Sequence, residues 1–284
     1  MKNLVITVTS FRWRVGLVRA GGAAVCLTSV LLAACAGNGV GVPHPEDAPG
    51  TSSFVSSEQT DVRRRAQIRL ELAANYFDAG QDKVALEEVQ QALALDPQSA
   101  DAFNLHALLH MRLGNFAEAD ASFRRARSLR PADPDTAHNH AWLLCQNRRY
   151  AEAQTLFSEA LSKPNYRAKA KTWMAQGVCW ADEGRLPEAE KALLKAYEFD
   201  TANPVIAYQL ALTLYRLQDY PRAQFYIRRV NNGEFSNAES LFLGIKVESA
   251  LGNTVSVQQL AGQLKKRFPD SREWMDVERG KIHD

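Results

Sequence analysis

Residues Asp82–Pro97 read Asp-Lys-Val-Ala-Leu-Glu-Glu-Val-Gln-Gln-Ala-Leu-Ala-Leu-Asp-Pro, and Phe116–Pro131 read Phe-Ala-Glu-Ala-Asp-Ala-Ser-Phe-Arg-Arg-Ala-Arg-Ser-Leu-Arg-Pro, 34 positions later. The two stretches keep their small residues in step. Ala85, Ala119 and Ala153 follow one another at that interval, as do Ala92, Ala126 and Ala160. Gly80 precedes Gly114 by the same step, and Phe123 precedes Phe157. A two-residue insertion near Lys163–Arg167 breaks the phase, which resumes at Gly184, Ala189 and Ala196. Ala223 then follows Ala189 by 34, Gly252 follows Gly184 by 68, and Pro269 closes the series. Six units fit, beginning near residues 66, 100, 134, 170, 204 and 238.

Each unit reads as two amphipathic helices joined at the glycine. The recurrent alanines fall where the paired helices touch, and a larger side chain there would push them apart. Pro187 and Pro221 suit the first turn of second helices, where a missing N–H costs little. Pro97, Pro131 and Pro269 suit positions just past helix ends. Asp82 and Asn115 are expected as N-caps of second helices. This pattern resembles the tetratricopeptide repeat. The fold expected is all-α: a right-handed superhelical solenoid of about six such repeats over residues 61–270, closed by a short polar capping segment at 271–284.

The chain ahead of the repeats is different. Residues 1–34 carry Lys2, Arg12, Arg14 and Arg19 and no acid, and Ala20–Ala34 is small and apolar. That is the pattern of a secretory signal, and it is short of the roughly 20 apolar residues of a membrane span. The run ends Leu32-Ala33-Ala34-Cys35, which resembles the lipobox of bacterial lipoproteins. The resemblance implies that Cys35 becomes an acylated N-terminus. Ala36, rather than Asp, in the next position implies outer-membrane sorting. Residues 35–60, rich in Gly, Pro, Ser and Thr beyond the cysteine, are expected to form a flexible tether.

The whole chain has 34 Lys+Arg against 32 Asp+Glu, a net charge of +2. Losing the leader removes four cations and leaves 30 against 32, slightly acidic. This charge balance excludes a general nucleic-acid binder. Arg63-Arg64-Arg65 and Lys265-Lys266-Arg267 read as solvated helix ends. No phosphate loop, nucleophile elbow or paired-carboxylate motif occurs, so the expectation is no enzyme, no cofactor, no metal and no small-molecule substrate. His106 and His110 lie one turn apart, but the intervening Ala-Leu-Leu lacks the glutamate of a metalloprotease helix, and they read as interface histidines.

The repeat's first helices line the concave face of such a solenoid. Mapping the lining positions gives Leu70, Phe77, Asn104, Leu108, Met111, Arg112, His138, Trp142, Met174, Tyr208, Leu212 and Tyr215, with Leu241 or Phe242 in the last repeat. This apolar stripe suits a helical or extended peptide. The lysine–asparagine clamp for a C-terminal carboxylate is absent. Cys145 and Cys179 fall on adjacent first helices, where they can bridge or remain two small buried hydrophobes.

Local matches extend the resemblance to the type IV pilus biogenesis/stability lipoproteins, the PilF/PilW pilotin family. They are Leu143-Leu144-Cys145 with Arg149-Tyr150-Ala151-Glu152-Ala153, Gly177-Val178-Cys179, Glu239–Lys246 and Leu264–Ser271. Asn139-His140-Ala141-Trp142 departs from the family's more usual Asn-Asn-Tyr-Gly. The resemblance implies a monomeric, lipid-anchored adaptor on the periplasmic face of the outer membrane. It implies binding to the pilus secretin, whose localisation and multimer assembly the adaptor promotes, and it favours the Cys145–Cys179 bridge. The competing expectation is a scaffold for peptidoglycan hydrolases or synthases.

Overall fold

A computed structural model describes residues 52–282, with side chains from Thr60 onward. The leader, Cys35 and the tether up to residue 51 lie outside the described residues. Thirteen helices and no strand occur among those described. They form six antiparallel pairs: α1 (Ser52–Asp78) with α2 (Asp82–Leu95), α3 (Ala100–Arg112) with α4 (Phe116–Leu129), and α5 (Pro134–Gln146) with α6 (Tyr150–Leu161). The series continues with α7 (Lys169–Glu183) and α8 (Leu186–Phe199), α9 (Pro204–Arg216) and α10 (Tyr220–Asn231), and α11 (Ala238–Ala250) and α12 (Thr254–Arg267), followed by α13 (Arg272–Glu278). None of these helices is long and apolar enough to cross a membrane.

The recurrent alanines make the pairing possible. Ala85, Ala119, Ala153, Ala189 and Ala223 are all fully buried between the helices of their pairs. Every first helix also touches the first helix of the next repeat, from α1–α3 through to α9–α11. Second helices pack on the following first helix and reach one another only through long side chains, as in Arg127–Glu159, Arg222–Glu190 and Tyr197–Tyr226. The first-helix side is therefore the tighter, inner side of the stack, and the second helices fan out.

The turn inside each pair has one left-handed residue: Gly80, Gly114, Gly184 and Gly252, but Arg148 (φ 59°) and Gln218 (φ 63°) in the other two. The turn closes on backbone hydrogen bonds, as in Gly80 N to Phe77 O and Gln81 N to Tyr76 O. This corrects the capping expectation. Asp82 is the first residue of α2 rather than its cap, and Asn115 precedes α4 without a side-chain cap bond. Side-chain caps fall mainly on first helices, where the chain arrives from a looser loop: Ser99, Asp133, Asn203 and Asn237 each accept a hydrogen bond from the first turn, and among second helices Asp219 does so for α10.

Two boundaries differ from the expectation. Helix α1 begins at Ser52, within the segment expected to be tether, because no Pro or Gly interrupts the chain after Gly50. The capping helix α13 is amphipathic rather than polar: Trp274 and Val277 pack against Leu241, Ile245 and Leu264.

Candidate peptide groove

The first-helix face is built by residues one turn apart on each of α1, α3, α5, α7, α9 and α11. Leu70 and Phe77 pack half-buried on the core of repeat one, and Leu108 and Met111 on that of repeat two. Trp142 leans on the Ala141–Cys179 cluster, while Met174, Tyr208, Leu212 and Tyr215 lean on the core of repeats four to six. Each thus keeps one side in the core and one side outward, as a lining residue must. The burial pattern of α9 recurs in α11 34 residues later: Leu241 is fully buried like Ala207, and Phe242 is half-exposed like Tyr208. Phe242 is therefore the lining residue of the last repeat. Burial pushes the Tyr208 phenol up to about 12, with Glu239 and Glu273 adding to the effect.

Two predicted positions behave otherwise. His138 does not line the groove; it is buried, and burial pulls its imidazole down to about 3, with Lys171 adding. The cause is the two-residue insertion. It carries Tyr166 into the core, where the Tyr166 hydroxyl shares a 2.8 Å hydrogen bond with Thr172 Oγ1, which shares one of 2.9 Å with His138 Nδ1. At the N-terminal end, Arg112 covers Phe77. Its guanidinium carbon stacks 3.5 Å from the ring centroid, and its Nη1 donates to Phe77 O (2.9 Å) and Asp82 Oδ1 (2.8 Å). The open apolar stripe therefore starts at Leu108 and Met111. Asn104 accepts a 3.2 Å hydrogen bond from Asn139, a polar rung that the repeat register placed one residue away.

The other histidines among the described residues are occupied. Asn115 Nδ2 reaches His110 Nδ1 (3.3 Å), His110 Nε2 reaches His106 Nε2 (3.2 Å), and His106 Nδ1 reaches Ser122 Oγ (2.9 Å). Burial, with His110 adding, pulls His106 down to about 4, so its imidazole is neutral at physiological pH. His140 shares a 2.7 Å hydrogen bond with Asp120. Burial would raise the Asp120 carboxyl, but hydrogen bonds from His140 and Arg124 outweigh it and hold the group below its usual value. No group of three or more His, Cys, Asp or Glu residues among the described ones is arranged to hold a metal.

Cys145 and Cys179 face each other across α5 and α7 at bonding distance, with Cα atoms 5.8 Å apart. A bridge here would pin repeat three to repeat four behind Trp142. Two clefts lie away from the lining residues. One, of about 530 Å³, is bounded by Pro134, Asp135 and the Lys163–Ala168 loop. The other, of about 320 Å³, lies between α10, α11 and α12. The first-helix face is thus an extended stripe, shaped for a chain segment rather than a small molecule.

A sequence profile of the tetratricopeptide repeat matches residues 70–134 and 138–204. The chain is 26% identical over 218 residues to the type IV pilus assembly protein PilF of Pseudomonas aeruginosa, covering 77% of this chain and 86% of that protein. The crystal structure of PilW, a widely conserved type IV pilus biogenesis factor, superposes with a TM-score of 0.71 at 28% identity, covering 75% of this chain and 97% of that one. The structure of P. aeruginosa PilF superposes with a TM-score of 0.69 at 23% identity, covering 78% and 99%.

Proposed function

We propose that this chain, a tetratricopeptide-repeat protein homologous to PilF and PilW, is a non-enzymatic assembly factor for the type IV pilus, holding a segment of the pilus secretin in its first-helix groove. The observation that carries the reading is the stripe from Leu108 and Met111 through Trp142 and Met174 to Tyr208. These side chains remain half-open in an otherwise packed solenoid. Acylation at Cys35 would set the solenoid at the periplasmic face of the outer membrane, where the secretin assembles. In that oxidising compartment the Cys145–Cys179 bridge would persist.

Deleting the gene and running unboiled envelopes on a gel tests the role. Most of the heat-stable secretin multimer should disappear from the outer membrane, and wild-type levels would overturn the reading. Trp142→Ala with Tyr208→Ala should weaken secretin co-purification by at least roughly tenfold without loss of helical content. Unchanged co-purification would move the partner off this face.

A further inference from the structure

In the interior repeats, the third and seventh positions of a first helix are covered by the second helix before it. Thr172 is 0% exposed, Ile206 1% and Leu210 0%. In repeat one the same positions are Ile68 and Leu72, which are 50% and 38% exposed. They lie one turn apart on α1, and Arg64 and Arg65 continue the same stripe toward its N-terminus.

The two basic runs of the sequence have different fates. Lys265 sits over Trp274 (5.4 Å), and Arg267 stacks on Phe268 and donates to Ser236 O at 2.8 Å. Arg63, Arg64 and Arg65 are exposed and make no hydrogen bond or ion pair with any described residue. They stand on a chain that is otherwise slightly acidic. Sixteen residues separate Cys35 from Ser52. A flexible segment of that length has a root-mean-square span of about 20–24 Å.

We infer that this uncovered end of repeat one is a docking face for an anionic lipid surface. Ile68 and Leu72 enter the headgroup boundary, and Arg64 and Arg65, on the same side of α1, pair with lipid phosphates. A second copy fits the face poorly, because a twofold contact would set the arginines of one copy against those of the other. The inference takes the position of the face from the proposed anchor at Cys35, but its chemistry is independent of acylation.

The described residues enclose their own core, so residues 36–284 can be assayed without an acyl group. They are mixed with vesicles of phosphatidylethanolamine containing about one-quarter phosphatidylglycerol, or of phosphatidylcholine alone. Partition onto the anionic vesicles should be roughly tenfold stronger and should fall with salt. Arg64→Gln with Arg65→Gln should lower it by roughly tenfold, to the level seen on phosphatidylcholine, with an unchanged melting curve. Ile68→Ser with Leu72→Ser should lower it by roughly tenfold. Equal partition onto both vesicle types, or no effect of the double arginine substitution, overturns the inference. So does a concentration-dependent dimer that Ile68→Ser with Leu72→Ser abolishes. Failure of the anchor would show separately, as absent palmitate labelling at Cys35, and would leave the vesicle result untouched.

Discussion

The solenoid ends in two different ways. At the C-terminal end α13 turns back, capped by Ser271, and lays Trp274 and Val277 over the apolar side chains of α11 and α12. At the N-terminal end α1 leaves Ile68 and Leu72 in water and carries three exposed arginines without a partner among the described residues. The polar interiors near the two ends also differ. Repeat three buries His138 and His140 and repeat two half-buries His106, whereas repeat six buries Glu248, which accepts hydrogen bonds from Arg228 Nε, Gln224 and Asn253 at 2.7–2.8 Å. The difference teaches that a repeat position has no fixed burial of its own. The preceding or following element decides it, so one motif can yield a sealed edge and an open one.

Acid should separate the two regions most strongly. His106 and His138 are held neutral in the fold, well below the ordinary histidine value near 6.5. The unfolded chain therefore binds more protons below that value. Their contribution is complete above pH 6.5 and lost as pH falls toward 4 and 3. Burial would raise the Glu248 carboxyl, but its three hydrogen bonds hold it below the usual value. Its contribution persists until pH falls below the ordinary carboxylate range. Hydrogen exchange at pH 5 should show repeats two and three loosening first, with an overall loss on the order of a few kcal/mol relative to pH 7. Uniform loosening would erase the contrast.

Ending the chain after Asp270 removes α13 and uncovers Leu241, Ile245 and Leu264. Urea unfolding should show a loss of about 4 kcal/mol. Cys145→Ser with Cys179→Ser opens a 34-residue loop midway between the ends. It should cost roughly 3 kcal/mol, a value that the same addition of reductant to the parent protein reproduces. Gly244→Ala tests the sealed end from inside. A Cβ there would lie 2.6 Å from Asn231 Nδ2, which donates to Ser240 O, so the loss should be about 2 kcal/mol in a thermal melt. The smallest effect belongs to the open end. Ile68→Ser with Leu72→Ser should change stability in solution by less than about 0.5 kcal/mol. A larger loss would mean that the face is covered after all.

The repeat spacing alone located all six helix pairs, because small residues at fixed intervals are what close helix contact demands. It also picked out most of the half-buried side chains on the first helices, since their places follow from register. His138 escaped that logic because its burial depends on Tyr166, delivered by an insertion that is visible in sequence but whose path is not. The shielding of Phe77 escaped because Arg112 could as easily have faced solvent; only tertiary geometry brings its guanidinium to Phe77 O and Asp82 together. Asp82 fell one residue inside α2, and Asn115 holds the cap position of α4 without a side-chain bond, because the left-handed turns before them already close on backbone bonds. Cys35 and the residues around it are legible only as an address, and they lie outside the described residues.

Because second helices meet one another only through a few long side chains, while first helices approach one another along their backbones, each junction between repeats is a joint whose bearing lies along the first helices. Five such joints occur in series. The sulfur bridge would weld the third, between α5 and α7, while the other four keep only non-covalent contacts. Opening or closing of the curvature would then concentrate in the two arms on either side of that weld. Trp142 and Met174, which straddle it, form the stiff middle of the stripe, while Met111 and Tyr208 move with the arms. A bound segment would be gripped at a rigid centre and clasped by two flexing jaws.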